Sequence, residues 1–344
     1  MHDVVIVGGG PSGCEVARLV SEEGYDALVI EEHSKIGIPT QCAGLVSFRI
    51  GGIPEKLILN RIKVAKFCCR NEYFEVKSRI PMFVIDRKGY DVFVAERAIS
   101  AGAKLKMGIR FLNFKNGKVV TNRGNYQTKI LIGADGPNSS VAKVAGIKLP
   151  KNLLKAVQAH MKSNFEPNVV ELWFGSDTAP GNFAWVVPEN EEEARVGLMM
   201  DDNPSPYFEK ILKKRFGNSK TRNRIGGVIR YGLIEKSVAN NILLVGDAAA
   251  MVKPFSLGGL VYGQIGSEFA GRACIKALEQ EDFSKKFFLK NYDFLWKEKL
   301  KFPIMKGLLL KKNFSIFQDT PAFFKIIREC GIAKLALFLD VDLL

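Results

Sequence analysis

A cluster of glycines near the N-terminus has the spacing that lets a phosphate approach the backbone. Gly8, Gly10 and Gly13 form a GxGxxG pattern, with Pro11 and Ser12 before the last glycine. In such a turn the first glycine permits a tight bend, the second leaves room for a pyrophosphate, and the third lets a helix pack closely on a strand. The helix N-terminus that follows attracts negative charge. The pattern predicts a dinucleotide site; a glycine-rich turn without a ligand is the alternative.

A carboxylate follows at the end of the second predicted strand. Glu31 ends this strand and Glu32 comes next. A carboxylate about twenty residues after the glycines can accept hydrogen bonds from both hydroxyls of an adenosine ribose, and it disfavours the 2′-phosphate of NADP. We therefore predict FAD or NAD as the tightly bound nucleotide, with Glu31 and Glu32 among the residues that bind it.

Two aspartates each follow an apolar strand later in the chain. Asp135 precedes Gly136, and Asp247 follows Gly246. Taken singly, such an aspartate is more often a helix N-cap or a turn former. Together with the first glycine motif, however, they form three matches in a fixed order.

These three motifs resemble those of the flavoprotein superfamily that includes p-hydroxybenzoate hydroxylase and the geranylgeranyl reductases. The resemblance implies one FAD, with Asp247 at a ribitol or ribose hydroxyl and Asp135 bracing the loop that seats it. Gly258 and Gly259 then open a long helix, whose amides and dipole favour the negative charge of a reduced flavin. Arg87 resembles the superfamily's arginine near the cofactor, although an exposed turn arginine is the alternative.

An aromatic segment indicates which family within this superfamily the chain resembles. Residues 180–188 read PGNFAWVVP and are similar to the PxxYxWxFP signature of geranylgeranyl reductases, with Phe183 in place of tyrosine and Val187 in place of phenylalanine. In that family the segment lines the tunnel for the isoprenoid chain. The resemblance thus implies that Phe183 and Trp185 line the substrate tunnel, whereas an aromatic strand in an ordinary core is the alternative.

A cysteine-containing loop carries a second resemblance to the same family. Cys42, Ala43 and Gly44 are placed like the loop that approaches the flavin ring in these reductases. This implies that all three lie at the cofactor and that Cys42 is the catalytic candidate beside the reacting alkene. A small buried thiol is the alternative.

The order of the predicted elements gives the fold class. Apolar strands and helices at the start, near 90–101, at 129–132 and at 241–278 predict an α/β protein with a Rossmann-like FAD-binding domain of the p-hydroxybenzoate hydroxylase/glutathione reductase type. Strand patterns between them predict an interleaved antiparallel β-sheet substrate domain. We assign residues 1–60, 84–150 and 238–283 to the first domain, 61–83 and 151–237 to the second, and 284–344 to a C-terminal basic, aromatic-rich helical region.

The composition indicates in which environment the protein works and which partners it can bind. The six cysteines show no CxxC spacing and there are three histidines, so we predict reduced thiols and no metal site. No apolar run is long enough to span a membrane, which favours the cytoplasm. The net charge of +14 suggests an anionic partner. Lysines mixed with Tyr292, Phe294, Trp296 and Phe302 suit a lipid headgroup region or a plain helical subdomain equally well.

The function implied by the resemblance is FAD-dependent reduction of isoprenoid carbon–carbon double bonds in membrane lipids or polyprenyl precursors. The expected partners are an isoprenoid lipid, an external electron donor (ferredoxin, a deazaflavin or NAD(P)H), and the inner face of an anionic membrane. A flavin monooxygenase or halogenase that acts on a small aromatic substrate is the chief alternative. A flavin-containing redox partner or an RNA-binding protein is the non-enzymatic one, although no RRM, KH or zinc pattern supports nucleic acid.

Overall fold

The computed structural model describes residues 1–217 and 220–317. Its strands are β1 (His2–Val7), β2 (Ala27–Glu31), β3 (Leu45–Val46), β4 (Ile58–Cys69), β5 (Glu72–Ile85), β6 (Lys104–Met107), β7 (Phe111–Lys115), β8 (Lys118–Thr121), β9 (Gly124–Gly133), β10 (Leu153–Lys162), β11 (Val169–Phe174), β12 (Ala184–Pro188), β13 (Glu193–Met200), β14 (Thr221–Arg230), β15 (Val238–Ala239) and β16 (Ile242–Leu244). Its α-helices are α1 (Pro11–Glu22), α2 (Arg87–Ser100), α3 (Ser140–Val144), α4 (Ser205–Phe216), α5 (Leu260–Gln280), α6 (Lys285–Phe288) and α7 (Phe294–Phe317).

The chain divides into two compact units, each built from separated segments. Unit 1 comprises Met1–Ile38, Lys88–Asn152 and Arg230–Met305, and unit 2 comprises Pro39–Arg87, Leu153–Ile229 and the chain from Lys306. Residues 39–60 and 84–87, assigned to the first domain from the sequence, thus belong to unit 2, and residues 151–152 and 230–237, assigned to the second domain, belong to unit 1. The predicted C-terminal region is divided between the units at Met305, and its part beyond residue 317 lies outside the described residues.

Unit 1 is built on a parallel sheet. Its strand order is β15-β16-β9-β1-β2-β6, and β16, β9, β1, β2 and β6 pair in parallel. Strands β7 and β8 form an antiparallel hairpin, and β8 pairs antiparallel with the first part of β9. The Val, Ile and Leu residues of the central strands, in Val4–Val7, Ala27–Ile30 and Ile130–Ile132, are buried, as expected for parallel strands covered on both faces.

Small residues bring α1 and α5 together in unit 1. A Cβ on Gly271 would lie 2.8 Å from Cδ1 of Leu19, and one on Gly263 would lie 2.6 Å from Oγ of Ser12. The two helices can pack this closely only because α5 carries glycines at these positions. The packing fixes the N-terminal end of α1 beside the start of α5.

The last elements of unit 1 include a π-helical turn at Leu289–Asp293 between α6 and α7. Asp293 accepts hydrogen bonds from the amide and hydroxyl of Ser237, both 2.7 Å long, and pairs with Lys297 at 2.7 Å. Tyr292 and Trp296 are completely buried. These two aromatic residues belong to the segment that the sequence interpretation judged equally suited to a lipid headgroup region and to a plain helical subdomain, and both side chains lie in the protein interior.

Unit 2 is built on an eight-stranded sheet with the order β14-β10-β13-β12-β11-β4-β5-β3. The predicted antiparallel sheet is correct for most pairs, but β4 and β11 pair in parallel. Helix α4 covers one face through Phe208, Ile211 and Leu212, which pack on the inward residues of β10, β12 and β13. Burying each of these side chains contributes about 1.5–3 kcal/mol.

The opposite face of this sheet carries a second apolar cluster. Its buried members come from β4, β5, β11 and β12, including Phe67, Phe74 and Phe174. Partly buried side chains border the cluster and leave apolar surface available: Ala43, Leu45, Met82, Leu172, Phe183 and Trp185. We call this the aromatic face of unit 2.

The sequence patterns located most elements but missed several. Helix α4, strand β14 and the β6–β8 segment were not predicted. The sequence pattern predicts separate strands at 73–77 and 82–85, whereas the structure has one continuous strand, β5, through the charged stretch between them. Within the described residues, no helix is both long enough and apolar enough to cross a membrane.

Candidate functional site

The glycine turn of unit 1 is held by contacts of the backbone with itself. Gly8 has φ +108°, and a Cβ there would lie 2.2 Å from the carbonyl oxygen of Ala134. A Cβ on Gly13 would lie 2.2 Å from the carbonyl oxygen of Gly8 and 3.1 Å from Cγ2 of Ile6. These two positions therefore require glycine on packing grounds, whether or not a ligand is present.

Gly10 differs from its neighbours because the space around it is open. A Cβ at Gly10 would meet no atom within 4 Å. The residue is the N-cap of α1 and has no side chain to cap the helix, while Pro11 occupies the first turn. The space beside Gly10 is thus open at the end of the helix that carries the positive end of the dipole, which suits an approaching pyrophosphate.

The Glu31 carboxylate is directed toward the glycine turn. Its Oε2 accepts a hydrogen bond from the amide of Gly9 at 2.7 Å, and its Oε1 accepts one from the amide of His33 at 2.9 Å. The ring Nδ1 of His33 also lies 2.6 Å from Oε1. A carboxylate has about four acceptor positions, so one remains for a ribose hydroxyl. Glu32, the next predicted contact, is exposed.

Asp135 caps helix α3. Its Oδ1 accepts from the hydroxyl of Ser139 at 2.6 Å, and its Oδ2 accepts from the amides of Ser140 and Val141 at 2.7 and 3.1 Å. Burial raises the pKa of Asp135, and these hydrogen bonds oppose that rise. Gly136 follows with φ +78°, so the chain turns directly after β9. The hydrogen bonds of Asp135 attach this turn to the start of α3.

The second Gly–Asp motif meets the first glycine turn within unit 1. Ser12 lies against Gly246, where a Cβ would be 2.5 Å from its Oγ. The Asp247 carboxylate lies against Gly259, where a Cβ would be 2.6 Å from Oδ1, and Gly258 lies against the side chain of Lys253. The structure therefore brings together residues separated by more than 230 positions.

The cysteine loop of unit 2 is attached to three neighbouring strands. Gln41 donates to the carbonyl of Gly226 in β14 at 2.9 Å, Gln158 in β10 donates to the carbonyl of Cys42 at 3.1 Å, and Arg195 in β13 donates to the carbonyl of Ala43 at 2.9 Å. The Cys42 sulfur accepts a hydrogen bond from the amide of Gly44 at 3.3 Å.

Arg195 is a buried cation that shapes this loop. It pairs with Glu189 at 2.5 Å and donates to the carbonyl of Ile85 at 3.1 Å. A Cβ on Gly44, which has φ +70°, would lie 1.9 Å from Nη1 of Arg195. Burial works to raise the pKa of Glu189, but the hydrogen bond of His160 and the charge of Arg195 lower it overall. The guanidinium thus occupies the space that a side chain at position 44 would need.

Phe183 and Trp185 lie on the aromatic face. Their ring centroids are 6.4 Å apart in an edge-on arrangement, and Phe183 lies 5.7 Å from Phe174. The Trp185 indole crosses Gly197 of β13, where a Cβ would lie 2.3 Å from Cζ2. Its Nε1 donates to Oε1 of Gln158 at 3.1 Å. Both aromatic residues are partly buried, so part of each ring is accessible.

The turn before β12 makes contact with the last helix. Asn182 is buried, and its Oδ1 accepts a hydrogen bond from Nζ of Lys311 at 2.5 Å. Burial lowers the pKa of Lys311 to about 8, and the charge of Asp201 opposes that shift. A lysine inside the protein is thus bonded to the predicted substrate segment.

Sequence reasoning missed the residues that organise unit 2. Gln158, Arg195 and Gly197 each interrupt an apolar strand at a position directed toward the aromatic face. A polar residue or glycine in such an alternating pattern was the available signal. Arg87, by contrast, is half-buried at the first position of α2 and belongs to the segment 39–87 of unit 2.

Comparisons with known proteins agree with this organisation. Residues 153–230 match the model of the geranylgeranyl reductase catalytic domain, and residues 6–43 match an NAD(P)-binding Rossmann-like domain. The digeranylgeranylglycerophospholipid reductase of Methanocella arvoryzae is 30% identical over 346 residues, which cover 92% of this chain and 86% of the relative.

Solved structures confirm the predicted fold class. A geranylgeranyl bacteriochlorophyll reductase-like protein from Thermoplasma acidophilum has a TM-score of 0.86 at 23% identity, covering 99% of both chains. The flavin-dependent brominase Bmp2 has a TM-score of 0.77 at 17% identity, covering 98% of this chain and 92% of its own. The family predicted from residues 180–188 and the cysteine loop is confirmed, since the identity and coverage of the archaeal relatives show that this chain belongs to the geranylgeranyl reductase family.

Proposed function

We propose that this chain is an FAD-dependent reductase of isoprenoid carbon–carbon double bonds, acting on glycerolipids of the archaeal type or on related polyprenyl compounds. The observation that carries the proposal is the aromatic face of unit 2, where Phe183 and Trp185 border an apolar cluster. The only polar hydrogen of the Trp185 ring is already bonded to Gln158. A hydrocarbon chain therefore meets a surface that requires no hydrogen bonds from it.

The residues of unit 1 fit FAD. The open helix start at Gly10 suits the pyrophosphate, and Glu31 has an acceptor position left for a ribose hydroxyl. Asp247 lies against Gly259 at the start of α5, where a carboxylate and helix amides can bind the extended cofactor. FAD, when bound and reduced, supplies hydride.

The chain's own contribution is binding and orientation. An isolated alkene has no carbonyl that could stabilise developing charge, so alignment and exclusion of water must provide much of the catalysis. The aromatic face provides rigid apolar surface for alignment, because its rings are packed against one another. Cys42 belongs to a loop with hydrogen bonds to three strands, which keeps its thiol in one place.

The electron donor is external in this proposal. Ferredoxin, a deazaflavin and transient NAD(P)H are the candidates, and the net charge of +14 favours an anionic one. Comparing the rates of flavin reduction by each donor under anaerobic conditions tests this point. A donor whose rate falls steeply as salt is raised is the one guided by charge.

We also propose that the protein acts in the cytoplasm at the surface of an anionic membrane. Phe294, Phe302 and Met305 of α7 are 63%, 70% and 53% exposed, and Lys299 and Lys301 are exposed beside them. Apolar side chains with adjacent lysines suit a layer of anionic headgroups. Co-sedimentation with vesicles tests the proposal: binding to anionic vesicles that is lost in Phe302→Ser supports it, and equal binding to neutral vesicles contradicts the role of charge.

The central experiment is anaerobic incubation of the dithionite-reduced holoprotein with an unsaturated archaeal lipid. We expect a gain of two mass units for each double bond reduced, and no gain with oxidised holoprotein or with flavin-free protein. Unchanged lipid in the presence of bound, reduced flavin would contradict the proposal. Rapid NADPH oxidation stimulated by an aromatic acid, without a change in lipid, would instead favour the monooxygenase alternative.

A further inference from the structure

Three residues form one row across unit 2. Gly197 of β13 is paired with Gln158 of β10 on one side and with Trp185 of β12 on the other. Because Gly197 has no side chain, the Trp185 indole lies across β13 and reaches Gln158 two strands away. The row therefore requires a large ring at position 185, no side chain at position 197 and an amide at position 158.

The Gln158 amide uses both of its ends. Its Oε1 accepts from the indole N–H of Trp185, and its Nε2 donates to the carbonyl of Cys42, each at 3.1 Å. The residue is 6% exposed, so water cannot readily replace either partner. A carboxylate at this position cannot donate to the carbonyl, and an aliphatic side chain can satisfy neither group.

We propose that Gln158 is a positioning residue that sets the spacing between the Cys42 loop and Trp185. This inference rests on the proposed function, for which the family resemblance implies that Cys42 lies beside the reacting alkene and that Trp185 lines the isoprenoid tunnel. One amide then determines where along the isoprenoid a double bond meets the reacting position. It does so without touching the cofactor or the substrate.

A structural role alone would lower stability without changing which bonds are reduced. A positioning role changes both the accessibility of Cys42 and the distribution of products. Gln158→Met keeps the length of the side chain and removes both hydrogen bonds, whereas Gln158→Glu keeps the acceptor for Trp185 and loses the donor for Cys42. Gln127→Met is the matched control, because Gln127 is an exposed glutamine of unit 1 whose amide also donates to a carbonyl.

The first measurement needs no substrate. The holoprotein is treated with a maleimide in the absence of lipid, and modification of the Cys42 peptide is followed by mass spectrometry. Cys14, Cys68, Cys69 and Cys274 are buried, whereas Cys42 is partly accessible, so peptide mapping isolates its rate. We expect about tenfold faster modification in Gln158→Met and Gln158→Glu, as for the loss of one buried hydrogen bond. A rate within twofold of the unmodified sequence in both variants would overturn the inference.

The second measurement uses the holoprotein and the unsaturated lipid. We expect kcat to fall about tenfold in Gln158→Met with a smaller change in KM, and partially reduced lipids to accumulate with a different pattern of saturated positions. An unchanged product pattern would overturn the inference. If the unmodified protein reduces no lipid with any donor, the proposed function fails, and the modification rates still decide whether Gln158 holds the loop. Thermal unfolding establishes that each variant is folded, and Gln158→Glu serves if Gln158→Met is not.

Discussion

The glycine turn of unit 1 and the cysteine loop of unit 2 are both tight bends, but different parts of the chain hold them. In the turn, Gly8 and Gly13 are packed against backbone carbonyl oxygens. In the loop, the carbonyls of Cys42 and Ala43 are bonded to the side chains of Gln158 and Arg195. The first bend requires glycines, because any side chain there would clash with the backbone. The second bend is held by buried polar side chains.

This difference affects how each site can vary. A backbone-packed turn tolerates almost no change at its glycines, yet it places no demand on distant residues. A loop held by side chains depends on residues more than 110 positions away, so changes in its strands can alter it. Substitutions that remove one kind of support and spare the other will test the comparison.

The largest effect is expected from Gly8→Ala. The new Cβ would meet the carbonyl oxygen of Ala134 at 2.2 Å in a backbone with φ +108°, so we expect a loss of more than about 4 kcal/mol in the free energy of unfolding. Urea unfolding measures it. Gly10→Ala is the control: stability should stay within about 1 kcal/mol, while FAD affinity falls at least about tenfold because the methyl occupies the open space. Equal stability of Gly8→Ala and the unmodified protein would contradict the packing argument.

The second-largest effect on the free energy of unfolding is expected from Arg195→Met. It leaves Glu189 as a buried unpaired carboxylate and frees the carbonyls of Ala43 and Ile85, so a loss of about 3–5 kcal/mol is expected. Arg61→Met removes an exposed pair with Glu55 and should cost less than about 1 kcal/mol. If the two variants lose similar amounts in urea unfolding, the loop does not depend on Arg195.

Lys311 gives a pH-dependent effect within unit 2. Burial lowers its folded-state pKa to about 8 from an ordinary value of 10.5, so between these pH values the unfolded chain binds more protons. The free energy of unfolding should therefore rise with pH across this window, by up to about 3 kcal/mol. Lys311→Met should remove that rise, and the exposed Lys312→Met should keep it. Urea unfolding at several pH values from about 7 to 10.5 measures this rise. If the free energy of unfolding depends on pH in the same way in Lys311→Met and in the unmodified protein, Lys311 does not cause the rise.

The smallest effect is expected from Gly197→Ala. A methyl group 2.3 Å from Cζ2 of Trp185 must displace the indole, with a cost of about 1–3 kcal/mol. In Trp185→Leu the ring is gone but the carbonyl oxygen of Val157, 2.7 Å from the same methyl, remains, so adding Gly197→Ala should cost less than it does beside the indole. Additive losses in this double-mutant cycle would show that the backbone contact, and not the ring, determines the cost at Gly197.

The comparison also explains what the sequence could predict. The glycine turn, Glu31 and the two Gly–Asp pairs are local patterns whose chemistry follows from their own spacing, so they could be identified along with the α/β class. Gln158, Arg195 and Gly197 act through partners brought near by strand pairing, and no local spacing connects them to the cysteine loop. Asp135 shows that a motif residue can also have the ordinary role that its type favours: the sequence offered helix capping as the alternative, and its carboxylate accepts from the first amides of α3, where Ser139 is the N-cap residue.

The π-helical turn at Leu289–Asp293 has a consequence for the length of the chain at this point. A π turn holds one more residue than the corresponding α turn. Deleting a single residue here would let the segment close as a regular helix while the later side chains keep nearly the same direction, because five residues of a π turn advance about as far around the axis as four of an α-helix. Trp296 would then keep its bond with Ser237. A single deletion in the regular helix of α7 would instead rotate every later position by about 100°, so the π-helical turn is the place in this segment where the loss of one residue is best tolerated.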